Sequence, residues 1–361
     1  MSEAWIIDCV RTVRGRGKKE TGALRDIHPQ ELFAQTLNAL IERDGLKPRD
    51  VEDVVVGTVS EIEDQGGCIA RMAVLAAGWP TEATGVSLNR FCGSGLQAVN
   101  FASMGVMSGQ QELVVGGGVE SMSRVPLGSD KSGLDGHNRH LRELHPLVPQ
   151  GVSADLIATL EGFSREDCDR FALESQMRCK NAVEKGYFKK SLIPVRDLDG
   201  KVVLDQDEYP RSDTTLAGLG KLEPSFLGMG AYRMKDGPLT FDQKVKERYP
   251  QVEVVNHVHT AGNSSGIVDG AGVVLLASPD YARSQGWKPR ARVVATATYG
   301  DEPVIMLTAP VPATRRCLQK ARMTVNDIDL FEINEAFAAV PLKVMRDLDI
   351  PHEKVNVNGG A

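Results

Sequence analysis

The sequence predicts an α/β fold built from two related halves, with a long loop-rich segment inserted between them. Three observations carry this expectation. Short apolar runs that suit buried strands flank a helix of amphipathic spacing, one helix–turn–strand unit recurs far downstream, and the residues between show no sustained period.

In chain order, residues 3–9 and 54–59 (VVVGTV) predict buried strands. Between them ELFAQTLNALIER repeats apolar residues at helical spacing, through Leu32, Phe33, Leu37, Leu40 and Ile41. GLKPRDVEDVVVGT therefore reads as a helix end, a turn and a strand. ATRRCLQKARMTVNDIDLFEINEAF repeats that plan, with a strand expected around Leu330–Ile333. Asp50 falls on Asp327 at an offset of 277, and at that offset Leu46 meets Met323, Val51 meets Ile328, Val54 meets Phe331 and Val56 meets Ile333. Duplicated halves follow, each placing a functional loop after a central strand. Residues 121–250 change character: SRVPLGSDKSGLDGHNRHLRELHPLVPQG is rich in Gly, Pro and His, and LGMGAYRMKDGPLTFDQKVKERYPQ is polar and turn-rich. The helical stretch SREDCDRFALESQMRCKNAVEKGYF opens with a capping pattern, Ser164 followed by Asp167. The expected division is residues 1–120 as the first half, 121–252 as a loop domain, and 253–361 as the second half, whose strand within 253–277 can pair with the first.

Composition narrows the function. The chain is 361 residues long, 42% hydrophobic and 25% charged, which suits a core-forming globular protein. A net charge of −6 opposes general nucleic-acid binding but not a small anionic ligand. The six cysteines lie singly at 9, 68, 92, 168, 179 and 317, a pattern for a reducing compartment rather than a disulfide framework. MSEAWIIDCVRTVRG resembles neither a signal nor a transit peptide, and no apolar run reaches membrane-spanning length. The expectation is a soluble cytoplasmic chain without an integral membrane segment.

Chemistry concentrates first at LNRFCGSGLQAVN. A strand from Gly85 meets a helix from Gly95, so Cys92 sits at the positive end of a helix dipole, which favours thiolate over thiol. Gly93 and Gly95 leave room for a substrate carbonyl. The setting suits a nucleophile; a buried small hydrophobe, the common fate of a free cysteine, is the alternative. Cys9, Cys168, Cys179 and Cys317 take the second reading. His257 and His259 in NHVHT alternate, so a strand would point them the same way; a metal would need a third ligand, and none is spaced nearby. His137, His140 and His145 are expected in solvent.

NRFCGSGLQAV, GGGVESMSRVP, HTAGNSSGIVDGAG, EINEAFA and VNVNGG occur in that order, and together the chain resembles a thiolase over essentially its whole length. NRFC, NHVHT and GFSRED are most like the thiolase (β) subunit of fatty-acid-oxidation multienzyme complexes. The resemblance implies a layered α-β-α-β-α sandwich with an inserted loop domain. It implies thiolytic cleavage of a 3-ketoacyl-CoA to acetyl-CoA and a shortened acyl-CoA, with coenzyme A as co-substrate, no permanently bound cofactor and no metal. By the same resemblance Cys92 is the acylated nucleophile, and Asn334 fixes a water or donor at an oxyanion hole; a turn residue capping the following helix is the plainer role for Asn334. Ser265 matches a hydroxyl on the pantetheine arm, Arg211 an arginine at the nucleotide end of CoA, and Phe226, Met306 and Phe337 apolar tunnel walls. Gly218 stands where some members carry a CoA-contacting serine. A homodimer or homotetramer is implied, as is a hydratase/dehydrogenase α-subunit partner.

Members continue past the equivalent of VNVNGGA into a Gly-His-Pro motif, whose histidine activates the nucleophile, and a later Cys-x-Gly cysteine. Neither occurs here, so the expectation is a shortened chain with little activity alone. Three other readings stand beside the degradative enzyme: a biosynthetic acetyl-CoA C-acetyltransferase, a non-catalytic CoA-ester-binding subunit, and a ketoacyl synthase, against which the NEAF stretch speaks.

Overall fold

The structure is a computed structural model and describes residues 3–234 and 237–360. Two compact units emerge: residues 1–131, 187–209 and 267–294 form the first, and residues 132–186, 210–266 and 295–361 the second.

The first unit holds, among the described residues, an eight-stranded mixed sheet. Its strands are β1 (Trp5–Thr12), β2 (Gly15–Arg16), β3 (Asp53–Gly57), β4 (Thr84–Leu88), β5 (Leu113–Ser121), β6 (Leu192–Ile193), β9 (Val268–Ala277) and β10 (Ala291–Arg292). The order is β10-β1-β9-β5-β3-β4, with β2 on β9 and β6 on β1. A separate hairpin joins β7 (Val195–Arg196) to β8 (Val202–Leu204). β3 runs parallel to β4 and β5, whereas β9 runs antiparallel to both its neighbours, β5 and β1. Helices α1 (Pro29–Asp44), α2 (Ile69–Ala76), α3 (Ser94–Ser108) and α10 (Pro279–Ser284) belong to this unit.

Burial on both faces explains the unbroken valine runs. Val54, Val56, Leu113, Val115, Val273 and Leu275 pack with the apolar stripe of α1 and with α2. The alternate residues Val55, Val114 and Leu276 pack with Ala98, Ala102 and Val106 of α3. A strand covered on both sides needs no polar face, so its sequence loses the period-two signature.

The second unit is mostly helical: α4 (Arg139–Leu144), α5 (Gln150–Glu161), α6 (Arg165–Glu184), α7 (Leu216–Leu219), α8 (Leu227–Gly230), α9 (Phe241–Arg248), α11 (Pro310–Ala321) and α12 (Ala339–Leu348). The Ser164 capping box forms, with the Ser164 side chain accepting from the Asp167 amide. α4, α5 and α9 lie within or beside stretches expected to be irregular.

The 277-residue repeat is visible in the backbone. Short 3-10 turns occur at Pro48–Asp50 and Val325–Asp327, and both preceding helices end in a left-handed residue, Gly45 (φ 64°) and Arg322 (φ 57°). The strand expected at Leu330–Ile333 does not form a ladder. Phe331 makes a single parallel bridge to Val355, after which Asn356 turns left-handed (φ 47°) and its side chain, not its backbone, bonds both the amide and the carbonyl of Ile333.

One ionic cluster gives the first unit a pH response. Asp8 on β1 is buried and accepts from Arg43 (2.6 Å) and Arg290 (2.5 Å). Burial pushes its carboxyl up, but the hydrogen bonds from Arg43 and the Cys9 backbone outweigh that and hold it low. Burial and the neighbouring Asp8 charge push Asp44 up to about 6, and one of its oxygens is buried without a partner. Asp44 therefore binds its proton more tightly folded than unfolded, and stability falls as pH rises from about 4 through about 6. Asp44→Asn, which carries no such charge, should be more stable than the parent at pH 7.5 by about 1 kcal/mol after allowance for solvent screening, with the gap closing at pH 4.5. Denaturant melts at the two pH values check this.

Candidate active site

Cys92 stands on a turn built by its neighbours. β4 ends at Leu88, and Asn89 then donates its side-chain amide to the Val59 carbonyl (2.8 Å) while accepting the Phe91 N–H (2.7 Å). The Ser94 hydroxyl accepts from the Arg90 amide and donates to the Phe91 carbonyl. Phe91 is left-handed (φ 48°), an uncommon state for a bulky residue that needs the surrounding bonds to persist. Cys92 is exposed and immediately precedes Gly93, the N-cap of α3.

Close packing sets the height of that turn. A Cβ on Gly57 would lie 2.2 Å from the Ser94 carbonyl carbon, and one on Gly116 would lie 2.8 Å from the Val99 Cα. Glycine at both positions lets α3 rest directly on the sheet. The Val59 segment that holds Asn89 is itself held by Glu120, whose carboxylate accepts from the amides of Val59 (2.7 Å) and Ser60 and from the Gln65 side chain (2.8 Å).

The other candidate residues belong to the second unit. Two loops run antiparallel there: the Ser265 N–H donates to the Ala336 carbonyl (3.0 Å), the Ala338 N–H to the Asn263 carbonyl (3.0 Å), and Ser264 bridges Phe337. Phe337 turns inward, edge-on to Phe226 with ring centroids 5.5 Å apart. Glu335 also turns inward, bonded to Ser175 and Asn356, and burial pushes its carboxyl up. Asn334 is left exposed, as is Ser265. Asn334 does not cap the next helix, because α12 starts at Ala339 with Ala338 as its N-cap. Phe226 needs Gly151 beneath it, where a Cβ would come within 2.2 Å of its ring. Met306 is half-buried at φ 25°, and its neighbours Ile305 and Leu307, not Met306, pack against the cluster containing Phe337. Arg211 is exposed on a turn where its amide donates to Gln176 (2.9 Å). Gly218 sits in α7, where its amide donates to the Thr215 hydroxyl.

The histidine pair lies in coil rather than a strand, and both rings reach one carboxylate. His257 Nδ1 is 2.7 Å from Asp155 Oδ2, and His259 Nδ1 is 2.7 Å from Asp155 Oδ1. His257 Nε2 also meets Asp242 (3.1 Å). Although burial opposes its charge, the bonds to Asp155 and Asp242 raise His257 to about 9, making it an imidazolium. Asp155 was missed in the sequence; its signal was an acid in the apolar run GVSADLIATL. Glu120 carried no such signal. His137, His140 and His145 are exposed, and the described residues hold no group of side chains suited to a metal ion.

Comparison with known proteins accords with this arrangement. The chain matches the family descriptions "Thiolase, N-terminal domain" over residues 4–233 and "Thiolase, C-terminal domain" over residues 287–361. The chain belongs to the thiolase family. It is 36% identical to the 3-ketoacyl-CoA thiolase of Aeromonas hydrophila, an alignment covering 100% of this chain and 87% of that protein. It is 37% identical to the 3-oxoadipyl-CoA/3-oxo-5,6-dehydrosuberyl-CoA thiolase of Escherichia coli, covering 100% and 88%. The structure of human mitochondrial 3-ketoacyl-CoA thiolase superposes with a TM-score of 0.82 at 33% identity, covering 100% of this chain and 86% of that one. A Bacillus anthracis acetyl-CoA acetyltransferase gives 0.81 at 35% identity with the same coverage. The thiolase fold and an acyltransferase family follow. Among the described residues no helix is long and apolar enough to cross a membrane.

The Gly57 contact makes a direct prediction for the nucleophile turn. Gly57→Ala should lower unfolding stability by about 1–3 kcal/mol, because backbone rather than a flexible side chain must yield. A denaturant melt showing less than about 0.5 kcal/mol of change would mean that α3 does not rest where described.

Proposed function

We propose that this chain is a 3-ketoacyl-CoA thiolase, an acetyl-CoA C-acyltransferase of fatty-acid β-oxidation that carries its acyl group on Cys92. The observation that carries the reading is an exposed cysteine on a strained turn before a fifteen-residue helix, in a chain alignable end to end with proteins of that name. Cys92 Sγ attacks the 3-keto carbon of the substrate. The bond between C2 and C3 then breaks, and its electron pair leaves as the enolate of acetyl-CoA, which takes a proton at C2. The acyl group remains on sulfur as a thioester. The thiol of a second coenzyme A attacks that carbonyl, releasing the shortened acyl-CoA and restoring Cys92. No resident cofactor is needed: the thioester carbonyl stabilises the enolate leaving group, the proton lost by the Cys92 thiol balances the one gained at C2, and the incoming coenzyme A thiol returns a proton to Cys92.

Asn334 fixes a water or donor for the oxyanion, a role supported by its exposure beside the inward-turned Glu335 and Phe337. Ser265, exposed on the facing loop, bonds the pantetheine arm. Phe226, Phe337 and Met306 supply apolar wall, and Arg211 meets the nucleotide end of CoA. A cytoplasmic location accompanies this reading. The acetyl-CoA acetyltransferase likeness favours a second, biosynthetic reading, which cleavage rates across acyl-chain lengths separate from the first.

Mass spectrometry of the full-length protein after incubation with a 3-ketoacyl-CoA tests the assignment. An acyl adduct is expected on the Cys92 peptide, and Cys92→Ala should lose the adduct and lower cleavage about a thousandfold or more. A Cys92→Ala protein that binds the substrate normally, set against a parent that never acquires an adduct, would instead mean a CoA-ester-binding subunit.

A homo-oligomer belongs to the same reading. β4 is an edge strand, and Val86 on it, Phe91 on the following turn, and Leu96 (69% exposed), Phe101 and Met104 on α3 leave apolar surface exposed. Leu96→Glu with Phe101→Asp should shift the light-scattering mass toward one chain, whereas Leu198→Glu, at an exposed site in the loop of the β7–β8 hairpin, should not. A hydratase/dehydrogenase partner rests on the sequence resemblance alone.

A further inference from the structure

His259 is completely buried in the second unit, yet every polar atom of it is engaged. Its backbone amide and Nδ1 both reach Asp155 Oδ1, which also accepts the Val258 amide. Its carbonyl accepts the Ser225 N–H (2.8 Å), next to Phe226. Its Nε2 faces the Ala339 N–H (3.4 Å), the first residue of α12. An amide N–H can only donate, so Nε2 must be an unprotonated acceptor, and the proton sits on Nδ1 facing the carboxylate. The ring lies edge-on to Phe337 with centroids 5.5 Å apart. The side chain thus touches the segment after Asn334 twice, and the backbone carbonyl ties the residue to the segment bearing Phe226.

Asp155 keeps that tautomer in place. Its second oxygen is occupied by His257, which Asp242 binds from the other side. The buried Cys168 thiol, 4.0 Å from His259 Nε2, is pushed up to about 12, chiefly by burial, and stays neutral. As a protonated donor the thiol can share the Nε2 lone pair with the Ala339 N–H, and both contacts require Nε2 to be unprotonated.

We propose that His259 is a positioning residue for acyl transfer: through its Nε2 bond to Ala339 and its contact with Phe337, it holds the 334–339 turn so that the Asn334 side chain keeps one orientation. The proposal deepens the thiolase reading and rests on it. His259 touches no reacting atom. Its loss should therefore act on turnover while leaving coenzyme A binding largely intact.

Two substitutions separate the roles. His259→Asn keeps a group at the Nδ1 position for Asp155 but has nothing at Nε2, whereas His259→Gln reaches the Nε2 position and can accept from Ala339. In the full-length protein, His259→Asn should lower kcat about 10- to 100-fold with KM for acetoacetyl-CoA changed less than threefold. His259→Gln should recover kcat to within about fivefold of the parent. Hydrogen exchange read at the Ala339 amide should be faster in His259→Asn and near parental in His259→Gln. A merely structural histidine would lower the yield or melting temperature of both variants with parental kcat per folded molecule, and that result overturns the proposal. So does unchanged Ala339 protection in His259→Asn. A parent that turns over no 3-ketoacyl-CoA counts against the enzymatic reading instead, and the exchange result then decides the anchor alone.

Discussion

The carboxylate of Asp155 lies wholly inside the second unit, and such a charge persists only where donors surround it. Two backbone amides and two imidazole rings do so here. Burial pushes this carboxyl up, but the bonds from His257 and His259 prevail and keep it ionised. The loop from Val258 to Ser265 is anchored on that charge through its first two residues, and the 334–339 segment is hung on the loop in turn. Removing the acid would leave the His257 imidazolium with Asp242 alone and loosen two backbone donors together, so helix α5 governs loops about 100 and about 180 residues away.

The first unit solves its positioning problem chiefly by close packing, with the Glu120 carboxylate bracing the Val59 segment. Side-chain bulk is withheld where α3 meets β3 and β5, which lets a helix approach closer than alanine would permit. The turn ahead of α3 then inherits its position from the sheet, and Asn89 and Ser94 bind the strained Phe91 in place. Both devices serve loops carrying reactive or binding groups, which need rigid support beneath them.

What the sequence could reveal was set by the range of each interaction. Helix α1, strand β3, the Ser164 cap and the exposed turn at Cys92 depend on residues a few positions apart, and all were readable. The 277-residue repeat was readable because turn chemistry is local on both sides. The shared partner of His257 and His259 was not, since Asp155 lies about a hundred residues earlier. Nor was the missing ladder at Leu330–Ile333: the residues suit a strand, and the left-handed backbone of Asn356 interrupts it from across the pair. Asn334 looked like a cap because its neighbours are good helix formers, but the bridge at Phe337 delays the helix to Ala339.

Strand β9 occupies the slot between β5 and β1, antiparallel to both, although it follows β5 by about 150 residues. A ribosome adding ~5–20 residues per second would therefore release β1, β3, β4 and β5 about 7–30 s before their missing central partner exists. Throughout that interval β5 and β1 each present an unsatisfied edge to the empty slot, a natural target for holding chaperones. Vectorial folding from the amino end can prepare this sheet, and only the late arrival of Val268–Ala277 can close it.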